Sequence, residues 1–233
     1  MQLLGLGPDE TEAVRLSLRV AFWAMLWSLP FGLAAALLLA RGRFWGKSLL
    51  DGFVHLPLVM PPVVTGYLLL LLFGRNGPLG RFFADSFGIV FAFRWTGAAL
   101  AAAVTAFPLM VRAMRLSLEA VDRRLEEAAG TLGAGRIFAF LLVTLPLMAP
   151  GIVAGMVLSF ARSLGEFGAT ITFVSNIPGE TRTLPLAIYT LTQTPGGDPA
   201  ALRLTAVAVM LSLLALIVSE ILARQIGRRL SGE

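Results

Sequence analysis

An all-α protein that crosses a membrane several times is the fold class this sequence predicts, on three observations. Hydrophobic residues make up 57% of the 233 residues and charged residues only 14%, against roughly 25% charged in an average soluble domain. Five stretches, Val20 to Ala40, Gly52 to Gly74, Trp95 to Val111, Ile137 to Ala161 and Leu204 to Ser219, carry no formal charge with His55 neutral, and about 20 apolar residues suffice to cross a bilayer. Pro30, Pro57, Pro61, Pro62, Pro108, Pro146 and Pro150 lie inside them. Soluble helices reject such prolines, whereas membrane helices tolerate them because neighbours re-satisfy the freed carbonyls.

The elements follow in order. The first span is separated from the second by a basic loop, 41–51, and the second carries a proline cluster that forecasts kinks. After it, FFADSFGIVFAFRW sets aromatic rings where a headgroup belt would hold them. The third and fourth spans flank a charged segment, 112–136. About forty residues then precede the fifth span, rich in Gly, Thr, Ser and Pro, and their uncharged pieces Phe167 to Gly179 and Thr183 to Gly197 are too short for spans. They read as re-entrant or interfacial structure, over about 164–200. No internal repeat or low-complexity tract divides the chain, so residues 1–233 form one membrane domain.

Five spans place the termini on opposite sides. Segments 41–51, 112–136 and 220–233 hold 11 basic residues in 50 positions, and the alternate segments hold 8 in 81. The positive-inside rule therefore predicts an N-terminus outside and a C-terminus inside. The net charge of +5 comes from 18 arginines and one lysine. Their dispersal beside apolar runs suits anchoring to membrane lipid and not a nucleic-acid partner. Absent cysteine excludes thiolate metal sites and cysteine nucleophiles, and a single histidine argues against a histidine metal site. The first apolar segment shows no secretory cleavage pattern and is expected to stay in the mature protein.

RGRFWGKS, Arg41 to Ser48, approaches a phosphate loop, but the pattern requires glycine at the position of Arg41 and a preceding strand. GTLGAG at Gly130 is likewise no dinucleotide fingerprint. Between the third and fourth spans, LSLEAVDRRLEEAA places Leu118, Val121, Leu125 and Ala128 on one helical stripe, with Arg123, Arg124, Glu126 and Glu127 on the other faces. Gly130, Gly133 and Gly135 permit a sharp exit. This predicts a short amphipathic helix on the membrane surface, within about 116–136. On pattern alone it could be an ordinary connector.

Glu127-Ala128-Ala129, Gly133, Val143 and Leu145-Pro146 resemble the EAA-loop signature of ABC importer permeases, departing only in Val143 for isoleucine. The resemblance implies a type I ABC importer permease fold in a bacterial inner membrane. It also implies that this loop docks into a groove of a cytoplasmic ATPase homodimer, with Glu126, Glu127, Ala128, Ala129 and Gly133 as the coupling residues and Glu127 meeting a basic group. ATP and Mg would then be bound by that partner, leaving this chain without cofactor or catalytic site.

Arg162 and Glu166 close the fourth span, and Ser163, Thr170, Thr172, Ser175 and Asn176 follow with neutral donors, joined by Thr65 in the second span. Weak neutral donors suit an anion that must bind and leave. The same hydroxyls equally suit bonds to nearby backbone, and Glu166 equally suits the outer interface. The runs Ser163 to Ala169 and Asn176 to Pro185 are similar to the permeases of molybdate, tungstate and sulfate importers, and most like the molybdate branch. That resemblance implies alternating access in a homodimer with a second copy, fed by an extracytoplasmic oxyanion-binding protein. Sulfate or tungstate remains an alternative cargo. An ion-coupled secondary transporter would need paired titratable groups within spans, which the sequence lacks.

Overall fold

The computed structural model describes residues 6–231, and among them secondary structure is helical throughout. Four helices are long and apolar enough to cross a membrane: Pro8–Arg41 (α1), Trp95–Ala120 (α5), Arg136–Leu164 and Asp198–Val218 within α11, Asp198–Ser231. A fifth crossing is possible only through a broken pair, Lys47–Val59 (α2) and Pro62–Phe73 (α3), which meet at 114°. The expected second span is thus not one kinked helix. Pro61 and Pro62 offer no N–H to continue α2, and Pro62 serves as the first residue of α3.

The first helix also begins twelve residues before the apolar run that suggested it. Pro8 occupies its first turn, and Glu10 reaches back to the N–H of Gly7 at 2.5 Å. Its early charges find distant partners: Glu10 pairs with Arg203 at 2.9 Å, and the Arg19 guanidinium lies 3.8 Å from the Trp95 ring centroid. Pro78–Phe87 (α4) and the turn after it set Phe91 edge to face against both Phe73 and Phe83, centroids 5.5 Å apart in each pair. These rings pack against one another as much as they face outward.

The fourth crossing is composite. Arg136–Ala139 (α7) leads into a π turn, Phe140–Thr144, and then Leu145–Leu164 (α8). The Leu145 N–H bonds to Phe140 O, five residues back, immediately before Pro146, which has no N–H to offer Leu142. Gly151 and Gly155 recur one turn apart on the face that α8 turns to α5. A Cβ at Gly151 would overlap the Ser117 side chain, and one at Gly155 would stand 3.0 Å from Met110 O. Without a strong hydrophobic drive inside lipid, such close approach supplies the packing contacts that hold two spans together. Ala98, Ala101 and Ala102 of α5 serve the same end against Leu16, Val20 and Ala24 of α1.

The segment before α11 contains two short helices, Gly168–Val174 (α9) and Leu184–Thr192 (α10). Neither is long enough to span, as the composition led us to expect. The first packs on α3 so closely that a Cβ at Gly66 would lie 2.5 Å from Ala169 O. The second is tied to α1 by the Leu184 N–H, which donates to Ser17 Oγ at 2.6 Å.

Candidate coupling surface and translocation pathway

The amphipathic stretch predicted over Leu116 to Ala129 is two helices. α5 ends at Ala120, and Arg123–Thr131 (α6) begins after Asp122, whose carboxylate accepts the Arg124 N–H at 2.9 Å. An aspartate cap starts a new helix at low cost and stops the old one. The apolar stripe is split accordingly: Leu118 is buried with α5, whereas Leu125 is exposed on α6. α6 has no buried residue. Its far end closes through the Gly133 N–H on Gly130 O and the Ala134 N–H on Ala129 O, both 3.0 Å, with Gly133 at φ +90°. This pair of bonds forms a Schellman closure and requires the left-handed conformation that glycine adopts without strain.

The two adjacent carboxylates of α6 point to different fates. Glu127 and Ala128 are exposed, Ala129 is half-buried and Gly133 is exposed. Glu126 instead turns inward, where the Arg41 guanidinium binds both of its oxygens and the Thr144 hydroxyl donates to one. Burial alone would raise the Glu126 pKa. The hydrogen bonds from Arg41 and Thr144, with the charges of Arg41 and Arg123, outweigh that and hold it below the ordinary carboxylate value. Sequence reasoning missed Arg41 and Thr144. Arg41 stood out only as the residue that spoils a phosphate loop, and no local pattern links it to a carboxylate 85 positions away.

The second group of predicted residues lies at the other end of α8, whose 20 residues extend over about 30 Å. Glu166 is buried: one oxygen accepts the Ala169 N–H at 2.9 Å at the start of α9, and the other lies 2.8 Å from Arg162. An acid at a helix start also suits the helix dipole. Thr172 donates to Gly168 O at 2.8 Å, and Asn176 joins Thr190 at 2.7 Å to Arg182 at 3.1 Å. These groups hold the segment between α8 and α11 together. Ser175, at φ 66°, turns the chain between them and accepts the Thr181 hydroxyl at 3.2 Å through its carbonyl. Thr170 is buried within α9.

Thr65 and Ser163 differ from these, because both hydroxyls are buried with no hydrogen-bond partner among the described residues. Ser159 Oγ and Thr183 Oγ1 share that state and were not anticipated. A buried hydroxyl without a partner retains the capacity to bind a passing polar group. α3 brings Thr65 to the α9 side of this region, since its neighbour Gly66 abuts Ala169 and Thr172.

With this geometry in place, the comparisons with known proteins are specific. The family model for the "binding-protein-dependent transport system inner membrane component" matches residues 28–232. The chain is 62% identical over 223 residues to the molybdenum transport system permease protein ModB of Escherichia coli K12, covering 96% of this chain and 97% of that protein. It is 57% identical to the corresponding protein of Haemophilus influenzae, covering 95% and 96%. It is 40% identical to the sulfate transport system permease protein CysT of Salmonella typhimurium, covering 97% and 80%. Among solved structures, a bacterial ABC transporter that imports alginate aligns over 96% of this chain and 82% of its own, with a TM-score of 0.74 at 18% identity, a likeness of fold.

Proposed function

This chain belongs to the binding-protein-dependent transport system inner membrane components, and from that premise we propose that it is the permease subunit of an ATP-driven importer of molybdate. The close likeness to molybdenum permeases along nearly the whole chain carries the choice of cargo, because the sulfate permease is the more distant relative. The protein is a multi-pass component of the inner membrane with the fold of ABC importer permeases.

Two copies form the pathway, and each offers its α6 to one subunit of a cytoplasmic ATPase dimer that binds ATP and Mg. Exposed Glu127 and Ala128, with the sharp closure at Gly133, form the docking surface, and the N-terminus lies outside in keeping with the basic residues between the spans. An extracytoplasmic binding protein delivers the oxyanion. Closure of the ATPase dimer, which binds one permease state better than the other, drives alternating access. Ser163, Glu166, Thr170, Thr172, Ser175, Asn176 and Thr65 surround the route. The unpartnered hydroxyls of Thr65 and Ser163 supply the weak donors that an anion can bind and leave.

Reconstitution tests this reading. In proteoliposomes holding this chain and its ATPase, molybdate-loaded binding protein should accelerate ATP hydrolysis and bring molybdate across. Hydrolysis that ignores the loaded binding protein would refute it.

A further inference from the structure

We infer that Arg41, Glu126 and Thr144 form the joint through which movement of α6 reaches the first and fourth spans, a positioning role distinct from docking. The inference rests on the reading that α6 meets an ATPase. A lever is useful only if it is stiffly attached, yet α6 buries no residue. On one side it follows the break at Val121 and Asp122, and on the other it precedes Gly133 and Gly135. Backbone continuity through those hinges transmits little.

The Glu126 carboxylate supplies a lateral tie. Its partners come from two other elements: Arg41 is the last residue of α1, and Thr144 ends the π turn immediately before α8. One side chain therefore joins the coupling helix to the ends of two membrane-crossing helices that also pack on each other. The pair is only 24% and 23% exposed, so water screens it less than an ordinary surface pair. One guanidinium nitrogen, Arg41 Nη1, bonds to both carboxylate oxygens, and the Thr144 hydroxyl holds the same carboxylate from a second direction.

The π turn has a purpose in this arrangement. Its extra residue rotates what precedes it by about 100° relative to α8. Thr144, fully buried, is thereby presented to Glu126 while α8 keeps its glycine face on α5. The Leu145-Pro146 pair that follows favours the turn, since Pro146 cannot supply the α-helical bond. One neighbouring charge cluster is committed to itself: Arg115 bridges Asp51 at 3.1 Å and Glu119 at 2.8 Å. Arg123 adds favourable charge to Glu126 without bonding to it.

The test uses the whole complex in proteoliposomes and reads molybdate imported per ATP hydrolysed, a ratio that does not depend on how much complex folds. Arg41→Gln should still assemble with the ATPase and keep basal hydrolysis, without binding protein, within about twofold. Its imported molybdate per ATP should fall about tenfold, the rate equivalent of one charge-assisted hydrogen bond. Thr144→Val keeps the shape of the side chain and removes only its donor, so it should fold normally and lower the ratio about threefold. It decides the matter if Arg41→Gln assembles poorly. A wild-type ratio in Thr144→Val, or in an assembled Arg41→Gln complex, overturns the joint. Failure of the unaltered complex to import molybdate would instead overturn the proposed cargo.

Discussion

Two glycines three residues apart in the coupling segment should respond in opposite directions to the same substitution. Gly133 has φ +90° and no atom within 4 Å of the place a Cβ would take, so Gly133→Ala meets no clash and pays only for the left-handed backbone. That strain is about 1–2 kcal/mol. It falls on the residue that closes α6 through the Ala134 N–H on Ala129 O. α6 has nine residues and no buried face to compensate, and helices this short are marginal alone. The ordered population should drop about 5–30-fold. Gly130 also has open space but lies within the helix at ordinary φ, where Gly130→Ala should stabilise by about 0.5–1 kcal/mol. The assay is binding-protein-stimulated ATP hydrolysis by the reconstituted complex, with hydrogen exchange of the α6 amides as a direct measure of order. Gly133→Ala should lower both stimulation and protection, and Gly130→Ala should preserve or raise them. Equal effects from the two variants would refute the reasoning, because it rests on backbone conformation and not on residue size.

Other expectations concern neighbouring features. Glu127→Ala should abolish molybdate uptake and stimulated ATP hydrolysis while the protein still inserts into the membrane at its normal level, checked by immunoblot of membrane fractions; unimpaired uptake would remove Glu127 from the docking surface. Gly151→Val should wedge α8 from α5 at Ser117, costing about 1–3 kcal/mol as overpacking and lowering Tm in detergent by several degrees, whereas the exposed Gly130→Ala should not lower Tm. Because Glu126 is held below its ordinary value of 4.5, its tie contributes fully above that pH and is lost only as pH falls through the lowered folded value. Proximity of α6 to the end of α1, read by paired spin labels, should therefore be constant from pH 8 to about pH 5 and loosen only in stronger acid.

The sequence made the apolar crossings legible because lipid demands long uncharged runs, and those of α1, α5, α8 and α11 appear where hydropathy put them. The short helices α9 and α10 were legible for the complementary reason, their runs being too brief to span. The polar start of α1 was not: Glu10 and Arg19 look like loop residues until Arg203 and Trp95 arrive from far along the chain. The break at Val121 carried a local signal, since Asp122 is a good helix cap, but the apolar stripe running through it promised one helix. The Pro61-Pro62 pair likewise forecast a kink and not its size of 114°. At the coupling segment, the resemblance to the EAA loop implied that Glu126 and Glu127 face a partner together. Only the fold separates an inward carboxylate from an outward one, because that depends on Arg41 and Thr144, which no helical period relates to them.

The claim that this chain carries molybdate is tested most directly by uptake of labelled molybdate into cells that lack their own carrier and express the chain with its ATPase and binding protein. We predict uptake above the empty-vector level that tungstate competes away and that sulfate at equal concentration leaves intact. Displacement by sulfate at comparable concentration, or no uptake from the assembled complex, would contradict it.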